Sequence, residues 1–358
     1  MSERIWPTRI DGGAYPEGHV QGIAVDQKKG FVYYSFTTNL VKTDLLGNVI
    51  GIVDGLLGHL GCIDFNPEDG RVYGSLEYKQ DSIVQSIYRK KGKGEITHNA
   101  FYVAIFDVDK LTRPGMNAER DGIMTAVYLA DVVEDFEGVG EGGKPHRYGC
   151  SGIDGTAFGP VFGAPATSPR MLMIAYGIYD DTARSDNDHQ IILQYDWREF
   201  GKYEAPLCQD RPHRRGPRAD ARYFAFTGNT RWGVQNLCYD AGTRNWMMFV
   251  YRGKKPQYPN YALYLINAAK PAVKAPLAGL GGEVGLLLTQ ADAGILHEAS
   301  GVRGFEMDFG QFGVHALGER LFYISHRYFL EEPHREGVML HLTRYTGEGD
   351  TGFEEIEA

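Results

Sequence analysis

His19 and His59 stand 40 residues apart, at the same place in two copies of one pattern. Gly18-His19-Val20-Gln21-Gly22-Ile23-Ala24-Val25-Asp26 returns, without a gap, as Gly58-His59-Leu60-Gly61-Cys62-Ile63-Asp64-Phe65-Asn66. Imidazole is the commonest side-chain ligand for borderline metals, and a repeat that sets two of them in one register can aim both at one ion. Gln235 and His146 are the residues available to complete that shell, so the expected cofactor is one divalent metal (Zn, Mn or Ca). The plainer reading is that each histidine hydrogen-bonds a turn and the pair records a duplication.

Further groups fall at matching places. Glu77 and Tyr78 close the second half of the second copy. A carboxylate facing an enclosed pocket holds a raised pKa and serves as general acid or base, and a tyrosine beside it can pass a proton. Asp154 shares an inner-strand register with Asp64 and His315, and His326 ends a corresponding stretch late in the chain. Glu77, Tyr78, Asp154 and His326 are therefore the expected catalytic residues. Arg252 and Arg327 end equivalent strands, and paired guanidinium groups match a carboxylate or phosphate through bidentate hydrogen bonds. Tyr148, Tyr179 and Tyr251 offer flat faces to a sugar ring.

Residues so far apart can meet only if the elements carrying them converge. Each copy continues into a Gly turn and a second strand, Gly30-Phe31-Val32-Tyr33-Tyr34-Ser35 and Gly70-Arg71-Val72-Tyr73-Gly74-Ser75. Strand, polar turn and Val/Tyr-rich strand make the start of a β-propeller blade. Weaker copies follow at 151–158 with 171–176, at 235–240 with 246–251, and at 312–317 with 321–326. Outer strands are expected at 101–108, 124–129, 190–195, 222–226, 261–267 and 285–289.

The expected fold is all-β: one five-bladed propeller of four-stranded antiparallel blades, with few short helices. Its blades span 18–57, 58–135, 148–228, 232–290 and 304–358 of a single domain, 1–358, and the interval 62–150 has room for a sixth. Either 352–356 or the N-terminal segment 4–10 closes the ring. In such a ring the openings of inner strands and the ends of second strands converge at one axial face. That places His19, His59, Glu77, Gln235, Arg252 and His326 around one pocket.

The run from Gly22-Ile23-Ala24-Val25-Asp26 to Gly47-Asn48-Val49-Ile50-Gly51 resembles the broad NHL and SMP-30-like β-propeller group, most clearly over residues 18–80. The resemblance implies the fold; that group includes lactonases, lyases, cyclases and interaction modules. The acidic metal-ligand pattern of the SMP-30 lactonases has no counterpart in this sequence. Five-bladed arabinanase-like glycosidases are similar in blade number only.

A net charge of −9 argues against nucleic-acid partners, and no apolar run reaches the roughly 18–20 residues of a membrane span. The first residues show no leader, and Cys62, Cys150, Cys208 and Cys238 show no CxxC pairing, so reduced thiols and a cytoplasmic location are expected. The stretch 138–145 has phosphate-loop spacing as far as Lys144, but Pro145 replaces the hydroxyl residue, and no nucleotide cofactor is expected. The basic run 211–218 reads as a solvated or oligomer-contacting loop on the opposite face.

The functional expectation is a lyase or hydrolase acting on a small anionic sugar or sugar acid at the propeller axis, with metal assistance. The alternative is a non-catalytic module that binds a ligand or a protein.

Overall fold

The repeat becomes structure through its acidic turn. Asp26 Oδ1 accepts the backbone N–H of Lys28 (3.0 Å) and Lys29 (2.9 Å), and Gly30 follows at φ +76°. Asn66 Oδ1 accepts Glu68 N–H at 3.1 Å, with Gly70 at φ +74°. Asp240 caps the equivalent turn through Gly242 and Thr243 (3.1 and 2.9 Å), with Arg244 at φ +58°. The short side chain satisfies the turn's amides, and a left-handed residue reverses the chain.

The computed structural model describes residues 5–16 and 18–357. Strands account for 47% and helices for 8%, in five small antiparallel sheets set as a five-bladed propeller ring. The inner strands are Val20–Asp26, His59–Asn66, Cys150–Gly159, Arg231–Asp240 and Val314–Gly318. Each touches the next around the axis, and the last meets the first. Neighbouring blades cover both faces of a sheet, so strands such as Ala100–Phe106 and His189–Tyr195 are buried along their whole length. Between blades two and three the wedge is aromatic: Tyr73 meets Phe158 edge-on at 5.0 Å, and Trp197 packs edge-on against Phe158 at 6.1 Å.

Outer edges follow one rule: a segment leading toward or belonging to the next blade covers the previous one. Met116–Asn117 pairs with Val49–Asp54 of blade one, and Ala205–Pro206 pairs with Met124–Tyr128 of blade two. Val284–Leu287, expected as an outer strand of blade four, instead runs parallel to Ala221–Phe226 of blade three. Phe305, just past Val302–Gly304, bridges to Leu263 on the edge of blade four. Covering the edges removes unpaired backbone groups that would otherwise recruit other strands.

Blade five is closed from both ends of the described chain. Arg9–Tyr15 pairs with Arg335–Tyr345 from Arg9↔His341 to Tyr15↔Glu336, and Phe353–Glu355 takes the rest of that edge. The N-terminal closing strand starts later than the expected 4–10 and shares only residues 9 and 10 with it, while the strand Phe353–Glu355 falls within the expected 352–356; Arg4 lies outside the described residues. The basic run 211–218 does not hang free. His213 carbonyl accepts the Tyr102 hydroxyl at 2.7 Å, Arg215 carbonyl accepts Tyr128 N–H at 2.8 Å, and Arg218 pairs with Glu134 of the helix Ala130–Glu137. It packs along the outer edge of blade two. No helix among the described residues is long and apolar enough to cross a membrane. The four cysteines are unpaired, with only Cys208 exposed.

Candidate functional site

Bulges aim side chains at the axis. The inner strands lose register with their partners between Val20 and Gly22, between Leu60 and Ile63, between Ile153 and Thr156, and between Val234 and Asn236. An extra residue in a strand is freed from the ladder and redirected. Gln21, Asp154 and Gln235 occupy these places, and all three line a cavity of about 540 Å³ at one end of the axis. Buried amide bonds hold the inner strands beneath it: Asn236 Nδ2 donates to the carbonyls of Gln21 (2.9 Å) and Gln311 (3.0 Å).

The cavity floor is an acid pair. Glu77, 2% exposed, accepts the Ile153 N–H on Oε1 at 2.6 Å and the Lys79 ammonium on Oε2 at 2.8 Å. Lys79 also donates to the Ser151 carbonyl at 2.8 Å and stands 3.6 Å from Asp81. Burial pulls the lysine toward neutrality, but Glu77 and Asp81 outweigh it and raise its pKa. Among the described residues Asp154 has no ion pair; Gln235 Nε2 donates to its Oδ2 at 3.1 Å. Burial, and then the charge of Glu77, push the Asp154 carboxyl well above its ordinary range. Burial raises Glu77 as well, against the pull of Lys79 and the Ile153 amide. Both carboxyls are thus raised, Asp154 the more strongly because the Lys79 ammonium sits on Glu77.

The imidazoles are neutral. Burial, the Lys79 charge and His19 bring His59 down to about 3, and its Nδ1 lies 3.7 Å from Glu77 Oε2. Burial and the Arg327 charge bring His19 down to about 4, with Gln21 Nε2 at 3.2 Å from its Nε2. Aromatic groups form the wall. Tyr179 meets Trp232 edge-on at 5.8 Å, and Tyr251, its hydroxyl raised to about 12 by burial, stands across from them. Arg231 lies 5.9 Å from the Trp232 ring at the mouth, where the first turn of the helix Ser82–Lys90, capped by Asp81, adds Ser82 and Ile83.

Seven residues named from the sequence thus share one cavity: His19, His59, Glu77, Asp154, Tyr179, Gln235 and Tyr251. The others stand elsewhere. Strand alternation turns Tyr78 away from Glu77, and its hydroxyl donates to Gln209 Oε1 at 2.8 Å behind the sheet. Tyr148 donates to Glu283 beneath the Arg147 guanidinium. His146 sits behind Tyr179, ring centroids 5.0 Å apart, with Nδ1 2.6 Å from the Phe136 carbonyl. Arg252 is held by Asp308 (2.7 Å) and Glu306 (3.3 Å). Arg327 lies over Phe312 at 4.4 Å and 3.6 Å from Glu336, and His326 lies on the second strand of blade five, stacked on His341 of the third.

Lys79, Gln21, Ser151, Arg231 and Trp232 were not read from the sequence. Lys79 and Gln21 carry a signal, since each lies two positions from a named residue and so on the same strand face. Arg231 and Trp232 carry none, because their placement depends on left-handed backbone at Trp232 (φ +63°).

A second cavity, about 580 Å³, opens at the other end of the axis around Asp64, His315 and Arg170. Its carboxylate is already engaged: Asp64 Oδ1 and Oδ2 accept the Phe65 and Phe158 amides, each at 2.8 Å. The Glu77–Asp154 end differs in holding two buried carboxyls with raised pKa values. No protein-family model matches the chain, and no match is found among curated proteins.

Proposed function

We propose that the protein is a hydrolase acting on a small saccharide held in the axial cavity. One observation carries the reading: two neighbouring carboxylates on one cavity floor have unequal partners, an ammonium for Glu77 and an amide for Asp154. Environments that separate two such groups assign acid and base. Asp154 gives its proton to the leaving glycosidic oxygen, and Glu77 takes a proton from the attacking water. Water's oxygen becomes the new hydroxyl of one product; Glu77 then releases the proton it took to solvent, and Asp154 regains one from solvent. Trp232, Tyr179 and Tyr251 supply faces for a sugar ring, and Arg231 a partner for one carboxylate at the mouth. The volume lies inside the usual range of about 300–1,000 Å³ for small-ligand sites. The resemblance of residues 18–80 to the NHL and SMP-30-like group adds nothing about the bond cleaved. A metal-assisted elimination has weaker support, because Arg252 is committed to Asp308 and Glu306 and Arg327 does not line the cavity.

The test is a panel of oligosaccharides and sugar acids, read for new reducing ends and for unsaturated product. Turnover should appear as reducing ends and fall about 10²–10⁴-fold in Asp154→Asn and in Glu77→Gln. Unsaturated product would replace hydrolysis by elimination. Ligand-induced stabilisation with no turnover would identify a binding module, and full activity in both variants would remove the acid pair from the mechanism.

A further inference from the structure

We propose that blade five carries a zinc site formed by His326 Nε2, His341 Nδ1 and Glu355 Oε1, which fastens the C-terminal closing strand Phe353–Glu355 to the blade. These three atoms all lie within 4.8 Å of one another, and no other such group of His, Cys, Asp or Glu occurs among the described residues. The site is separate from the axial cavity and does not depend on the function proposed for it.

Strand register explains why the three converge. His326 pairs with Met339 and Ile324 with His341, so the two histidines are diagonal neighbours on one face of adjacent strands. Their rings stack at 4.1 Å with 23° between planes, and Phe309 covers the other side of His326 at 4.9 Å. Thr343 pairs with Glu355, which sets that carboxylate two positions along the same face from His341. Glu355 Oε1 then stands 3.0 Å from His341 Nδ1 and 3.9 Å from His326 Nε2. Ligand atoms about 2.0–2.1 Å from a tetrahedral zinc are about 3.3–3.4 Å apart, midway between these spacings.

The second observation is that both nitrogens are stranded. His326 Nε2 and His341 Nδ1 are buried from water and make no hydrogen bond; the 3.0 Å approach to Glu355 is close but misaligned. Buried, unpartnered ring nitrogens beside a carboxylate are what a cation would satisfy. Two imidazoles and one carboxylate favour zinc over the harder calcium and magnesium. A groove that also includes Asp11 runs beside His326 and His341. Arg9, opposite His341, opposes the cation with a guanidinium 3.9 Å from Glu355, but its side chain is 67% exposed and free to turn outward.

The experiment uses the full chain, stripped with chelator and titrated with zinc chloride, with calcium and magnesium chlorides as controls. One zinc per chain should bind by elemental analysis, and the unfolding midpoint should rise about 5 °C at zinc a hundredfold above Kd. Both effects should vanish in His326→Gln and in Glu355→Gln and persist in His59→Gln. Glu355 is the side chain nearer solvent, so its variant keeps the test open if a histidine variant fails to fold. Substoichiometric zinc, or binding that survives His326→Gln and Glu355→Gln, would overturn the site. Binding lost only in His59→Gln would place zinc at the axis instead.

Discussion

Gly152 lies directly against the Glu77 carboxylate. A Cβ added there would fall inside van der Waals distance of Glu77 Oε1, and the residue sits at φ +123°, which side-chain-bearing residues avoid. Gly152→Ala should therefore cost about 1–3 kcal/mol from backbone strain, with more from the displaced carboxylate. Urea unfolding measures the sum; an unchanged midpoint would mean that Glu77 moves freely.

Lys79→Met should be the more damaging change. It leaves a buried carboxylate without its cation, a loss of about 3–5 kcal/mol for such pairs. Adding Glu77→Gln removes the stranded charge, so the double variant should regain part of that stability. A double variant no better than Lys79→Met would show that the lysine acts through Ser151 or Asp81 rather than through Glu77.

Acid should weaken the fold through the two axial histidines. Their folded pKa values, about 3 and about 4, lie below the ordinary 6.5. Between those limits the unfolded chain binds more protons, so stability is complete above pH ~6.5 and declines as pH falls toward 4. The slope is at most about 1.4 kcal/mol per pH unit for each histidine. Asp154 has the opposite sign: its raised pKa makes stability fall as pH rises toward the folded value. Urea midpoints against pH should flatten on the acid side in His59→Gln, and on the other side in Asp154→Asn. An acid limb unchanged by His59→Gln would mean that the ring is already charged in the fold.

Trp232 should matter to ligands and little to stability. It is 38% exposed, and its left-handed backbone is one that glycine adopts more easily. Trp232→Gly should hold or raise the unfolding midpoint while weakening saccharide binding about tenfold, about 1.4 kcal/mol. Equal affinity in both proteins would remove the aromatic wall from the ligand site.

What could be read from the sequence was local. The 40-residue repeat shows because a strand, an Asp turn and a second strand are contiguous, and its register brought His19, His59 and Glu77 to one place. The strand's period of two should also have separated Glu77 from Tyr78 and drawn attention to Lys79. Arg252 and Arg327 fell at the right strand ends, but Asp308, which holds Arg252, comes from 56 residues away, and Glu336, near Arg327, from the far side of a hairpin. Val284–Leu287 joined the wrong blade for a similar reason: a parallel pairing across 60 residues leaves no mark in either strand. The grouping of His326 and His341 with Glu355 was beyond reach, since it depends on where the terminal segment docks.

Edge covering also sets an order on synthesis. Blades one to four are sealed by segments that follow them in the chain, so each can be completed soon after it leaves the ribosome. Arg9–Tyr15 is different, because its partner strand Arg335–Tyr345 is made more than 300 residues later. At about 5–20 residues per second, that nascent strand waits roughly 15–60 s without its mate. Throughout that interval it is the segment most open to chaperones and to pairing with another chain.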